Sequence, residues 1–226
     1  MSRQSSPRWE EFARSDPMFF IDPSMGRDVT LEEFRAAGAA LVDEILPWVG
    51  ELPSHERVVE SGCGVGRNLV HLAERFAQAD GIDVSPTMLE LARESGLPAN
   101  VELHATNGRD LAPIAGDSVD LVFSHLVFQH VEDPAVVEAN VREIRRVLRP
   151  GGAAALQFDT RPRSVAAAIA HRLPDRLLPR IHRRHMRRYR HTAGQVRQWA
   201  TDAGLAVEAE REPGTADHWL LLRRPA

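Results

Sequence analysis

The amino-acid sequence reads as an α/β protein, a doubly wound and mostly parallel seven-stranded sheet with helices on both faces. Short apolar runs alternate with helical patterns from Arg57 to Phe158, and a glycine turn joins the first of these runs to the first helix. The fourth run, Val119 to Ser124, is mostly Val, Leu and Phe, as a strand buried on both faces must be. Strands alternating with helices at this spacing are βαβ units, and those build parallel sheets. The chain has 226 residues, 43 % of them hydrophobic. That suits one domain with additions and a sizeable core.

The first 55 residues read as helical. Thr30 and Glu33 form a capping box, Leu31, Phe34, Leu41 and Ile45 make a stripe, and Pro47 and Pro53 end the region. Arg57 to Glu60 is a short strand, Gly62 to Gly66 a glycine loop, and Arg67 to Ala77 a helix. Gln78 to Asp83 is the second strand. Ser85 caps a helix with Pro86 in its first turn, and Gly96 closes it. Val101 to Ala105 is the third strand. Asp133-Pro134 opens a helix with Val137, Val141, Ile144 and Leu148 on one face and Glu138, Arg142, Arg145 and Arg146 toward water. Pro150-Gly151-Gly152 stops it, and Ala153 to Phe158 is the fifth strand. Thr192 with Gln195 caps a late helix to about Ala203, and Leu205 to Ala209 and Trp219 to Leu222 close the sheet.

Composition removes several classes of function. All 28 basic residues are arginine, so a Schiff-base lysine, a lysine base and a P-loop lysine are all absent. The single cysteine, Cys63, forbids an intrachain disulfide and a cysteine-based zinc site, and no metal is expected. No apolar run reaches the ~18 residues of a membrane helix. The polar start, Met1 to Pro7, lacks the apolar stretch of a secretory leader. A cytoplasmic protein is the expectation.

The stretch Val58-Val59-Glu60-Ser61-Gly62-Cys63-Gly64-Val65-Gly66-Arg67 runs from strand through three glycines into a helix. Glycine lets the backbone turn tightly and approach a ligand, and the helix start offers unpaired N–H groups. Asp83 ends the next strand 21 residues after Gly62. In doubly wound folds an acid at about that distance binds ribose hydroxyls. A nucleoside at the carboxyl ends of the strands is therefore expected. A dinucleotide fingerprint wants a glycine where Arg67 stands, and Glu60 places a second carboxylate beside the loop. A pyrophosphate is repelled there, whereas an ammonium or sulfonium is welcome. This argues against a nicotinamide-dependent oxidoreductase.

Glu60 to Gly66 resembles the first motif of class I S-adenosylmethionine-dependent methyltransferases, and Gly81-Ile82-Asp83-Val84-Ser85-Pro86-Thr87-Met88-Leu89 their second. Ser118 to Ser124 and Arg146 to Gly152 are similar to two later motifs. The likeness is strong over Val58 to Phe158 and weak over Thr192 to Arg224. It implies S-adenosylmethionine as cofactor, with Gly62, Cys63, Gly64 and Gly66 around its methionine part and Glu60 near its ammonium. It further implies Asp83 on the ribose, Val84 and Met88 beside the adenine, and Ser124 at the edge of the site. Asn107-Gly108 stands where the family usually has an acid and a small residue reading the adenine amino group. Cys63 reads equally as a small buried filler.

Methyl transfer from a sulfonium needs an aligned acceptor and, for a hydroxyl, removal of its proton. Ser124 to Val131 follows the fourth strand, and His125 and His130 are the candidate bases. His130 reads also as a loop tie. No Asp/Asn-Pro-Pro-aromatic stretch follows the strand, no cysteine lies there, and no lysine exists for a ribose 2′-O-methylation tetrad. A hydroxyl of a small-molecule or sugar-containing acceptor, anionic or lipid-linked, is the best reading. An amine or carbon acceptor stands behind it.

Four segments follow: a helical lid over 1–55, a cofactor core over 56–160, an arginine-rich acceptor lid over 161–191, and closing elements over 192–226. Arg161 to Arg197 holds eleven arginines against Asp175 alone within a net charge of −4. That run reads as an anion or carrier site, an RNA or membrane surface, or a solvated face. RNA-directed methylation, or RNA binding, is the alternative function, weakened by scarce aromatics there. The oligomeric state is not legible.

Overall fold

The computed structural model describes residues 6–162 and 188–226. Seven strands form one sheet: β1 (Arg57–Ser61), β2 (Gln78–Asp83), β3 (Val101–Ala105), β4 (Val119–Ser124), β5 (Leu148–Phe158), β6 (Ala206–Arg211) and β7 (His218–Arg223). The order is β3-β2-β1-β4-β5-β7-β6. Pairings from β3 through β5 are parallel, and β7 runs antiparallel to both its neighbours. Chain order reverses between β1 and β4, so a crevice opens at their carboxyl ends, where doubly wound sheets bind ligands.

Period-two alternation divides the core. Val59, Val122, Ala154 and Leu156 point to the face packed by Val137, Val141 and Ile144 of α6 (Pro134–Val147) and by Val196 and Ala200 of α7 (Ala193–Asp202). Val58, Leu121, Phe123 and Ala155 point to the opposite face. They meet Val42, Ile45 and Val49 of α3 (Leu31–Val49) and Leu69 and Leu72 of α4 (Leu69–Ala73). Burying each such side chain contributes roughly 1.5–3 kcal/mol.

Four local expectations need correction. Pro47 lies inside α3 rather than ending it. Its missing N–H leaves the carbonyl of exposed Asp43 to water, and the helix stops at Gly50, where φ is +70°. The helix after the glycine loop is only five residues, because turns occupy residues 64–68 and 74–75. Pro150-Gly151-Gly152 does not separate α6 from β5; the strand begins at Leu148 and bulges between its pairings with Val119 and Leu121. Arg146 does not simply face water either. It binds Glu143 and donates to the carbonyls of Ile114 and Leu111, tying down the helix-free connection between β3 and β4.

Both expected capping boxes are present, Thr30 with Glu33 and Thr192 with Gln195. The N-terminal segment packs as α1 (Ser6–Ser15) and α2 (Pro17–Ile21) in a small apolar cluster of Phe12, Phe34, Val65 and Met88. Phe12 stacks on Phe20 with centroids 4.0 Å apart. Glu10 accepts from Ser85 Oγ at 2.8 Å, Thr87 Oγ1 at 2.6 Å and Thr87 N–H at 3.2 Å. These bonds, led by the Thr87 hydroxyl, hold the Glu10 carboxyl below its ordinary range. They dock α1 on the N-terminus of α5 (Pro86–Glu94), where negative charge is favoured.

Candidate active site

A cleft lies across the carboxyl ends of β1, β2 and β4, lined by Gly62 and Gly64, by Asp83, Val84 and Met88, and by Thr106, Gly108 and Asp110. His125 to Phe128, His130, Val131 and Asn140 form its far end, and Trp9 and Ile21 close it from the N-terminal segment.

The glycine turn is required sterically. Gly62, Gly64 and Gly66 have φ of +77°, +52° and +84°, a region L-residues rarely occupy. A Cβ on Gly62 lies 2.3 Å from Val127 Cγ2, and one on Gly64 2.7 Å from Ile21 Cδ1.

The two acids behave differently. Asp83 sits between backbone donors: its carboxylate accepts from Gly64 N–H at 2.9 Å and Ser85 N–H at 2.9 Å. Burial nonetheless keeps its carboxyl above the ordinary value. Glu60 is 2 % exposed, behind the loop rather than on the cleft wall. Its Oε1 accepts from Asn68 Nδ2 at 2.8 Å, while Oε2 has no partner. Burial pushes the Glu60 carboxyl up to about 8, against the pull of Asn68 and Arg67. That oxygen is an unmet acceptor next to the glycine turn.

The remaining sequence candidates divide. Gly62, Gly64, Asp83, Val84, Met88, Gly108, His125 and His130 all line the cleft. Cys63, Gly66 and Ser124 do not: Cys63 is a buried thiol whose pKa burial raises further, and Ser124 Oγ donates to Ser61 O at 3.0 Å, tying β4 to β1. Asn107 stands outside the cleft lining. It is exposed, its Oδ1 accepts from Arg109 N–H and its Nδ2 donates to Asp110, so its amide is spent on its own turn. Asp110, three residues on, reaches the cleft instead. Nothing in the spacing distinguished the two, because the turn decides which side chain turns inward.

His125 faces an arginine across the cleft wall. Its Nδ1 lies 3.0 Å from Arg67 Nη2, and an arginine only donates. The neutral ring therefore carries its hydrogen on Nε2 and has no free lone pair. The ring stacks on Trp219 at 5.4 Å. Burial, then the Arg67 charge, bring its pKa down to about 3. Arg67 was read only as the residue that breaks a dinucleotide fingerprint. It is 5 % exposed and also donates to Asp22 Oδ2 at 2.8 Å. Burial alone raises the Asp22 carboxyl, but Ser24 and Arg67 hold it below its ordinary value. Arg67 thus joins the N-terminal segment to the loop after β4, across the glycine turn. Gly38 of α3 makes room, since a Cβ there lies 2.3 Å from the Arg67 carbonyl.

His130 stands edge-on to Trp9 with centroids 5.4 Å apart and has Gln129 Nε2 3.3 Å from its Nε2. Burial, then the charge of Arg188, lower its pKa to about 4. Leu126, between the two histidines, has φ +60° and is held there by its N–H to Gln157 Oε1 at 2.9 Å. Left-handed backbone in a bulky residue on a cleft wall costs about 1–3 kcal/mol and is offset by such ties.

Away from the cleft, Asp80, Glu102 and His104 cluster on the sheet face beside the helix-free connection. Asp80 is already held by Arg57 at 2.7 and 3.0 Å and by His104 at 2.8 Å.

Fold and cleft together define a doubly wound protein with a glycine turn at the carboxyl ends of β1, β2 and β4, the place where such sheets bind ligands. Residues 59–156 match the family described as "Methyltransferase domain". A ubiquinone biosynthesis O-methyltransferase of Stutzerimonas stutzeri (strain A1501) is 30 % identical over 184 residues, 79 % of this chain and 74 % of that protein. A malonyl-[acyl-carrier protein] O-methyltransferase of Dechloromonas aromatica (strain RCB) is 33 % identical over 157 residues, 69 % of this chain and 53 % of the relative. The tRNA 5-carboxymethoxyuridine methyltransferase of Escherichia coli (strain K12) is 31 % identical over 121 residues; the match spans 52 % of this chain and only 44 % of that protein's length. In fold, magnesium protoporphyrin IX methyltransferase from Synechocystis PCC 6803 with bound SAH aligns at TM-score 0.64 and 20 % identity, over 95 % of this chain and 97 % of that one. The chain belongs to the class I S-adenosylmethionine-dependent methyltransferases. It is an enzyme of methyl transfer, and S-adenosylmethionine is its cofactor. No helix among the described residues is long and apolar enough to cross a membrane.

Proposed function

We propose that this enzyme methylates an oxygen atom of a small-molecule acceptor that enters between Trp9 and the loop after β4. The observation that carries the reading is the chemistry of that end of the cleft: two imidazoles, an indole and apolar side chains, with the cysteine packed behind the turn. The Pro-Pro-aromatic stretch that sandwiches a planar amine is absent there. The O-methyltransferase relatives support the same choice.

Glu60 would hold the cofactor's ammonium with its unpartnered Oε2, Gly62 and Gly64 would let the methionine part approach the backbone, and Asp83 would meet the ribose hydroxyls. Val84 and Met88 would flank the adenine, with Gly108 and Asp110 at its rim. The bound cofactor supplies an electrophilic methyl group on a sulfonium. His125 keeps the loop in register through Arg67, so it is a positioning residue. His130 is the imidazole left to face an acceptor.

The test is S-adenosylhomocysteine release by the purified chain across acceptor panels of alcohols, phenols, acids and amines. Release with oxygen acceptors alone is expected, and release with amines alone overturns the reading. Calorimetry should also show S-adenosylhomocysteine binding roughly tenfold more weakly to Trp9→Ala, since the indole closes the cleft between Phe12 and His130, 5.6 and 5.4 Å away. Unchanged affinity would place Trp9 outside the lid. The RNA-directed reading draws on the arginine-rich run, and residues 163–187 of it lie outside the described residues, as do the membrane-surface and lipid-cover readings of 165–169 and 173–181.

A further inference from the structure

We propose that the acceptor oxygen belongs to a carboxylate, that Arg188 holds this carboxylate, and that the product is a methyl ester. The proposal rests on the oxygen-methylation reading and narrows it.

The first support is a cation without a counter-ion among the described residues. Tyr189 N–H donates to Gln129 O at 2.6 Å, which fixes this stretch of chain beside the Gln129-His130 wall. Arg188, the preceding residue, is half-buried and close enough to both His125 and His130 for its charge to act on them. It makes no hydrogen bond or ion pair with any described residue. The nearest acid that His130 feels is Asp159, fully buried and already bound by Arg161 at 2.5 Å, with Arg190 Nε at 4.0 Å. Arg161 and Arg190 hold this aspartate, and Arg188 forms no ion pair with it. An arginine fork matches a carboxylate bidentately, and a half-buried one gains more from it than a solvated one.

The second support is the lack of a base among the described residues. A hydroxyl must lose a proton to attack, and neither histidine of the described cleft wall can hold one well. His125 has its lone pair on Arg67. His130 is kept neutral by burial, and a ring that sheds its proton near pH 4 draws one poorly from an alcohol. Lysine is absent from the chain. A carboxylate needs no base: at neutral pH it is already ionised. One of its oxygen lone pairs forms the new O–CH₃ bond as the C–S bond breaks, and the C–S electron pair stays on sulfur. A sulfonium and a carboxylate become a neutral thioether and a neutral ester, and no proton moves. Loss of charge also weakens the hold of Arg188 on the product, which favours release.

The experiment uses the full chain, tritium-methyl S-adenosylmethionine and a bacterial extract divided into small-molecule, protein and RNA fractions. Methyl esters release volatile labelled methanol in mild alkali; ethers and N-methyl groups do not. The expected result is alkali-volatile label in the small-molecule fraction. The same label in the protein or RNA fraction instead keeps the carboxylate and assigns it to a carrier or a modified nucleotide. Arg188→Gln should cut that label at least tenfold, Arg188→Lys should recover part of it, and S-adenosylhomocysteine affinity should stay within twofold in both. In parallel, calorimetry on the S-adenosylhomocysteine-loaded protein measures binding of butanoate-to-decanoate and aryl carboxylates beside their alcohols. Acids should bind, alcohols should bind at least tenfold more weakly, and Arg188→Gln should remove the difference. Alkali-stable label, no acid binding, or indifference to Arg188→Gln each overturns the carboxylate while methyl transfer stands. Failure to bind S-adenosylhomocysteine at all overturns the wider reading with it.

Discussion

Gly62→Ala is expected to abolish cofactor binding and to destabilise the fold. The added Cβ meets Val127 at 2.3 Å, on backbone at φ +77°. The left-handed conformation alone costs an L-residue about 1–2 kcal/mol. The steric conflict adds to it, because Val127 is stiff and its loop is pinned through Leu126 to Gln157. To relieve the clash, either the turn flattens or the β4 loop retreats, and both walls of the cleft are then displaced. S-adenosylhomocysteine affinity should fall at least a hundredfold by calorimetry, and the melting temperature should drop by several degrees. Gly214→Ala, where φ is +87° but nothing lies within 4 Å of the new Cβ, is the control for conformational strain alone. If the two variants lose the same stability and Gly62→Ala still binds cofactor, the close approach does not matter.

Glu60→Gln is expected to weaken S-adenosylhomocysteine binding by about tenfold to a hundredfold, the ~1.5–3 kcal/mol of a hydrogen bond to a charged group. The substitution keeps the shape and removes the charge that the orphaned Oε2 would offer an ammonium. It also gives a pH signature. In the free protein the Glu60 carboxyl titrates at about 8, against an ordinary 4.5. Binding a cation favours the ionised form, so at pH 7 the complex should release a proton. Calorimetry in buffers of different ionisation enthalpy should count close to one proton for the natural chain and fewer for Glu60→Gln. Stability has its own sign. Between pH 4.5 and about 8 the folded free protein holds a proton that the unfolded chain has lost, so Glu60 makes stability fall as pH rises through that window. His130 acts oppositely. Folded, it gives up its proton near 4, and unfolded near 6.5, so its contribution rises with pH between those values and is lost below them. Glu60→Gln should flatten the upper decline and leave the lower rise. An unchanged slope above pH 6.5 would show Glu60 to be ionised in the free protein.

Much of this was legible in residue order. β2, β3 and β4 fall where alternation and turn residues place them, both capping boxes are formed, and the glycine turn and its acid at position 83 meet in one cleft. Local rules suffice there, since a cap, a positive-φ glycine or an apolar run depends on neighbours within a few residues. Element ends were less legible. Pro47 is tolerated because the carbonyl it orphans is wet, and residues 148–152 join β5 because β4 offers them a partner.

The sequence by itself determined the fold, through patterns repeated along the chain, and its motifs carried the family resemblance that implies the cofactor. Only the tertiary structure decided the roles of individual polar groups. Arg67 and His125 lie 58 residues apart in sequence and spend their hydrogen bonds on each other. Asn107 stays exposed while Asp110, three residues on, lines the cleft. Glu60 keeps one oxygen unsatisfied, and Arg188 makes no ion pair with a described acid. A side chain's chemistry is set by which donors, acceptors and charges face it, and those partners come from elements far apart in the sequence.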